Sequence, residues 1–303
     1  MKTSFSGNAQ RKLCTVLAGG AILMLMSSFA AASISSTRHN LGSTNVAPNH
    51  ADGSVANKFS GTAEICVFCH TPHGADNTAA VPIWNRKLSN PAAFTRYSQL
   101  GTATFDASEA PVGSVSIACL SCHDGTQAMN VMINTPGSGT ITTMAGTWVG
   151  GNVTAGGIMQ NPGAVSFPML GTDLSNDHPV SMQYGGGGIS NNTLTATTND
   201  VDFAQPSNNS TPTARVGQTI GQVGTRVLGS GKRVWWVETD GIAGQSKLDL
   251  TLYSRTDGSG GSNPGVNQPF VECASCHDPH SNNTTFLRIV NDGSAVCLTC
   301  HNK

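Results

Sequence analysis

The sequence predicts a mostly irregular, loop-rich fold, with short helices at four repeated motifs and a few β-strands or hairpins, organised around something other than side chains. Three observations lead there. Of 303 residues only 6% are aromatic and 11% charged, while 35 are glycine. Such a chain buries too little side-chain surface to offset the entropy of ordering it. Second, eight cysteines fall into four identical Cys-x-x-Cys-His units: Cys66-Cys69-His70, Cys119-Cys122-His123, Cys273-Cys276-His277 and Cys297-Cys300-His301. Third, CVFCHTPH from residue 66 returns as CASCHDPH from residue 273, each with a second histidine beyond a proline.

Residues 1–32 read as a cleaved signal peptide. Lys2, Arg11 and Lys12 precede the apolar run TVLAGGAILMLMSSFA and the small-residue segment AAAS, so cleavage is expected after one of Ala30 to Ala32. Cys14 leaves with the leader. The apolar run is short for a bilayer span, so no membrane span is expected after cleavage. Three of the basic residues go too, leaving 13 Lys+Arg against 17 Asp+Glu, a charge of −4. That is no footprint for nucleic acid. Residues 33–60 read as an N-terminal arm carrying His39 and His50.

Residues 61–135 hold the first two motifs and residues 270–303 the last two. Eight scattered cysteines in an exported chain would suggest four disulfides, and Cys-x-x-Cys pairs converging two at a time would suggest zinc. Neither requires a histidine after every second cysteine. Cys-x-x-Cys-His is the attachment signature of c-type haem. Two thiols three apart reach the two vinyl groups of one porphyrin edge, and the next imidazole becomes the proximal iron ligand. The expectation is four covalently bound haem c groups, attached after export, whose stacked porphyrins supply the missing core at roughly 25 cal/mol per Å² of buried apolar surface.

Each six-coordinate iron needs a second ligand. His39, His73, His178 and His280 are the candidates, enough for four irons without methionine; His50 reads as a free loop histidine. His73 cannot reach the far face of the haem carried by His70, since three residues span only about 10 Å. Pro72 and Pro279 hold the chain extended beyond each motif, so His73 and His280 are aimed at other haems. On sequence order His73 is expected on the second haem and His280 on the fourth, with His39 and His178 left for the first and third. His39, on a flexible arm, could equally serve a neighbouring molecule, with His178 the alternative bridge.

Residues 136–269 form a Gly/Thr/Asn-rich insert, expected to be mostly loop and to insulate the haems. Its best local signal is TRVLGSGKRVWWVET, residues 225–239, two β-prone runs around a Gly-Ser-Gly turn, hence a hairpin.

The segments TAEICVFCHTPHG, CLSCHDGT, NDHPV, VECASCHDPH and CLTCHNK resemble the tetrahaem outer-surface cytochromes of metal-reducing bacteria, the OmcE type. The likeness covers the haem segments and His178, about a third of the chain; the insert matches nothing in it. The resemblance implies bis-histidine ligation throughout, a continuous haem stack, a ligand crossing between subunits, and a head-to-tail homopolymer at the outer surface or beyond. It further implies exchange of electrons with partner cytochromes and an extracellular acceptor. With both axial positions filled no substrate can bind iron, so the chain is expected to be an electron carrier and not an enzyme. The alternatives are a discrete monomeric carrier in the periplasm or outer membrane, and a multihaem reductase, which would need one iron with an open face.

Overall fold

Regular structure is sparse in the computed structural model, which describes residues 34–48, 55–101, 107–136, 143–161, 168–194, 197–206, 222–257 and 265–301. The expected leader 1–32, Cys14 and His50 lie outside the described residues. Ser33–Lys303 form one unit. Among the described residues no helix is long and apolar enough to cross a membrane.

Among the described residues the α-helices are motif helices: α1 (Ser116–His123), α2 (Cys273–Cys276) and α3 (Ala295–Cys300). The first motif opens as a 3₁₀ turn, Cys66–Phe68. The strands are β1 (Lys58–Phe59), β2 (Trp148–Val149), β3 (Met182–Gln183), β4 (Val223–Val227), β5 (Arg233–Val237), β6 (Leu250–Arg255) and β7 (Gln268–Val271). β1 and β2 form a small antiparallel pair. The other five form one antiparallel sheet in the order β3-β7-β6-β5-β4.

The β4–β5 hairpin pairs Val223 with Val237 and Thr225 with Trp235. Its turn closes with Leu228 N–H donating to Lys232 O at 2.8 Å, and Gly231 takes φ +79°, a conformation that favours glycine. The insert holds more sheet than its composition suggests. LTLYSR in β6 buries Leu250 and Leu252 on one face, which short, weakly apolar alternation barely announces. β7 then runs straight into the third motif.

Apolar side chains collect around the motif thiols. Phe59, Phe68, Met129, Met132, Met144 and Met159 form one cluster, with Cys69 and Cys122 packed against it. Those methionines fill space, as flexible thioethers do. Trp84, Phe94, Ile117, Leu120 and Leu174 line a second cluster, also against Cys69. The sheet supplies the third: Trp235, Val237, Leu250 and Leu252 join Tyr184 and Val296 against Cys276 and Cys300. Far from wrapping loosely, the insert is the floor under the last two motifs.

Candidate haem sites

Each motif is one tight helical turn, which puts cysteines three apart on the same face. His70, His277 and His301 donate their backbone N–H to the first cysteine of their own motif, at 2.8, 3.1 and 3.0 Å. The eight thiols are free. Burial pushes the Cys69 thiol up to about 12 and Cys276 to about 11, and raises Cys300 further still. Surroundings that disfavour the thiolate suit an uncharged thioether.

The motifs form a series in chain order. Cys69 feels the nearby Cys122, Cys119 hydrogen-bonds Cys273, and Cys276 feels both Cys297 and Cys300. The Cys119–Cys273 junction is braced by a buried polar knot. Ser116 Oγ donates to Glu272 Oε2 at 2.5 Å and accepts from Cys273 N–H at 2.9 Å, while Arg255 Nη1 pairs with Glu272 Oε1 at 2.8 Å. Burial raises the Glu272 pKa, and the Arg255 charge works against that rise.

Imidazole orientation follows one rule. Nδ1 lies 3.0 Å from Pro82 O in His70, 2.6 Å from Pro168 O in His123, and 2.8 Å from Thr285 O in His277. It lies 3.2 Å from Pro279 O in His39 and 3.1 Å from Pro179 O in His178. A carbonyl can only accept, so Nδ1 carries the proton and Nε2 keeps the lone pair, as in histidines that ligate metals. In His280 the group facing Nδ1, at 3.5 Å, is the Asp278 carboxylate.

Two pairs of rings then stand out. His70 and His280 have centroids 6.4 Å apart with planes 23° from parallel. His39 and His123 are 6.3 Å apart and nearly perpendicular, at 88°. With metal–nitrogen bonds of about 2.0 Å and a ring centre about 1.1 Å behind its nitrogen, two imidazoles on opposite sides of one metal would stand roughly 6.2 Å apart. His39 is also desolvated, which with the neighbouring His123 lowers its pKa to about 4 and keeps it neutral.

On sequence order His280 is expected at the fourth motif and His73 at the second; the ring of His280 lies near that of His70 in the first motif, and the ring of His39 near that of His123 in the second. The extended residues beyond Pro279 do leave their own motif, but α2 packs against α1, so they run back over the N-terminal motifs. His39 stands beside a histidine of its own chain. His73 and His178 are exposed.

The first and third motifs share more than a sequence pattern. Thr71 N–H donates to Ile83 O at 2.9 Å, and Asp278 N–H to Phe286 O at 2.8 Å. Asn85 N–H reaches Cys69 O and Arg288 N–H reaches Cys276 O, both at 2.9 Å. Asn85 Nδ2 donates to Val67 O at 2.7 Å, and Arg288 Nε to the equivalent Ala274 O at 3.0 Å. Ile83 and Phe286 even share a left-handed backbone, at φ 49° and 60°. Residues 82–85 and 285–288 therefore do the same work, although sequence reading passed over both.

The indole N–H of Trp84 is buried without a hydrogen-bond partner, and its ring stands 6.1 Å from that of His70. The Trp235 N–H, in the cluster under Cys276 and Cys300, is likewise unsatisfied. Free thiol pairs, Nε2-directed imidazoles at trans spacing and orphaned donors beside them fit haem. Residues 267–303 match the family model of the doubled CXXCH motif. No curated protein matches the chain. The matched segment is similar to the haem-binding segments of multihaem c-type, electron-transfer cytochromes, and its motifs imply covalently bound haem c.

Proposed function

We propose that the chain is an electron conduit with four haem c groups, each iron held between two histidines, working as a subunit of an extracellular filament. The observation that carries this reading is the two imidazole pairs, His70–His280 and His39–His123, at the spacing of one six-coordinate metal. Haem supplies the Fe(III)/Fe(II) couple when bound. The chain's share is to hold the thioether cysteines in series, aim each Nε2, and shield the row with the Met-rich cluster on one side and the sheet on the other. Two histidines held at each iron would leave it no position for substrate, which supports a carrier over a reductase.

The likeness to outer-surface tetrahaem cytochromes and the expected signal peptide support export to the outer surface or beyond. Support for a filament comes from the internal repeat. His280, beyond the third motif, reaches back to His70 of the preceding copy of the pattern. His73 occupies the same place beyond the first motif and is exposed. If one molecule follows another as the second copy follows the first, His73 reaches His277 of the molecule before it. Such a contact is heterologous and propagates into an open filament. His178 would then be the second ligand at the haem of the fourth motif, opposite His301; it precedes Tyr184, whose hydroxyl lies beside Cys300. Electrons would enter and leave through partner cytochromes and an extracellular acceptor at the ends of the row.

The test is mass spectrometry, absorption spectroscopy and negative-stain imaging of secreted protein. Four haems, all low-spin, in filaments are expected. Four low-spin haems in a monomer would make the chain a discrete periplasmic or outer-membrane carrier. A high-spin iron in the native assembly would favour a reductase.

A further inference from the structure

The two copies of the pattern differ at one interior position. Arg86 follows Asn85, and its counterpart after Arg288 is Ile289, which packs with the cluster under Cys276 and Cys300. Arg86 is 0% exposed. Its Nε donates to Ser121 Oγ at 3.2 Å. Nη1 donates to Met129 O and Val131 O, both at 3.0 Å, and Nη2 to Ser121 O at 2.9 Å and Ala128 O at 3.2 Å. Every N–H is thus used, and every acceptor is neutral. No donor remains for a haem propionate, and among the described residues no carboxylate pairs with the guanidinium.

A charge that is always present, fully buried and uncompensated is weakly screened and acts over the neighbouring sites. Arg86 follows directly on Asn85, which is tied to Cys69 O and Val67 O in the first motif, and it grips Ser121 between Cys119 and Cys122 in the second. At the second motif the buried Asp124 carboxylate, next to His123, offsets it. At the third, Arg288 is only half-buried and so reaches solvent, and Glu272 and Asp278 stand close by.

We propose that Arg86 is a fixed interior cation that raises the reduction potential of the first haem, so that electrons settle at the His70–His280 end of each subunit. This rests on the haem reading above. The electron is taken up by the iron and no proton need move, because the guanidinium stays charged throughout.

The ring planes would give the first two haems distinct spectroscopic tags. Near-parallel imidazoles, as at His70–His280, give a rhombic low-spin electron paramagnetic resonance signal, and perpendicular ones, as at His39–His123, a highly anisotropic signal with a large g maximum. A redox titration of native protein followed by these signals should show the rhombic signal of the first haem lost before the large-g signal. In Arg86→Ile its midpoint should move negative by the equivalent of at least a tenfold change in the reduced-to-oxidised ratio, about 59 mV. In Arg86→Lys, which keeps the charge and loses the five-bond geometry, it should move by less than half as much. Four low-spin haems with an unmoved midpoint in Arg86→Ile would overturn the role of Arg86 alone, as would an equal shift in Arg86→Lys. Should Arg86→Ile fail to mature, native protein whose first haem is reduced after the second overturns the proposal. Native protein without covalent haem would overturn both this and the reading it rests on.

Discussion

Residues 66–86 and residues 273–289 build the same bracket twice, yet set it in different interiors. In both, a one-turn motif is locked by a short left-handed segment that accepts the motif histidine's Nδ1–H, through Pro82 O and Thr285 O. Around the first copy lie a Met-rich cluster, a buried arginine and loops. Around the second lie a five-stranded sheet and aliphatic side chains, with Ile289 in place of Arg86. In both copies the bracket closes the motif turn and orients its histidine, while the interior around it differs.

Stripping haem from one copy at a time gives the largest expected effect. Serine at Cys66, Cys69, Cys119 and Cys122 should leave two haems and open residues 55–136 to limited proteolysis, because among the described residues the apolar clusters of that half are carried by turns, loops and one short helix, with no large sheet to hold them. Serine at Cys273, Cys276, Cys297 and Cys300 should also leave two haems but keep the sheet protected, since Trp235, Val237, Leu250 and Leu252 are buried on their own account. Equal protection of both halves, read by mass spectrometry of the fragments, would show that the interiors do not differ in this way.

The second prediction separates the paired histidines. His280→Ala should keep four haems but turn the first iron high-spin in the assembled protein and abolish its rhombic signal. His73→Ala should leave that signal untouched and stop filament growth. His39→Ala should remove the large-g signal of the second haem only. Loss of the rhombic signal in His73→Ala, or its survival in His280→Ala, would reverse the assignment.

Haem attachment was legible because its chemistry is local: five consecutive residues carry both thioethers and the proximal ligand. The β4–β5 hairpin was legible for the same reason, with a glycine turn between β-prone runs. Distal pairing was not legible. It depends on where α2 docks on α1, and nothing in CHDPH says that His280 turns back 210 residues to His70. The bracket segments 82–85 and 285–288 escaped notice because their task is done by backbone carbonyls and amides, which almost any side chain can present. Only Asn85 and Arg288 act through side chains, and they do it with different chemistry.

That difference gives the smallest predicted effect. Asn85 is fully buried, and its amide donates to Val67 O and Asn134 O at 2.7 and 2.8 Å while its Oδ1 accepts from Asn134 N–H at 2.9 Å. Truncation to alanine strands the carbonyl of the buried Val67 and the backbone groups of the half-buried Asn134, at about 1–3 kcal/mol. Arg288 makes the matching bond to Ala274 O from a half-buried position, with a further one to Lys247 O at 3.2 Å. Solvent can replace what Arg288→Ala removes, so its cost should be below about 1 kcal/mol. Thermal denaturation of the haem-loaded variants measures both, with Asn85→Ala expected to melt lower. Equal melting temperatures would mean that the sheet side of the molecule depends on its bracket as much as the loop side does, and that the two interiors are mechanically alike.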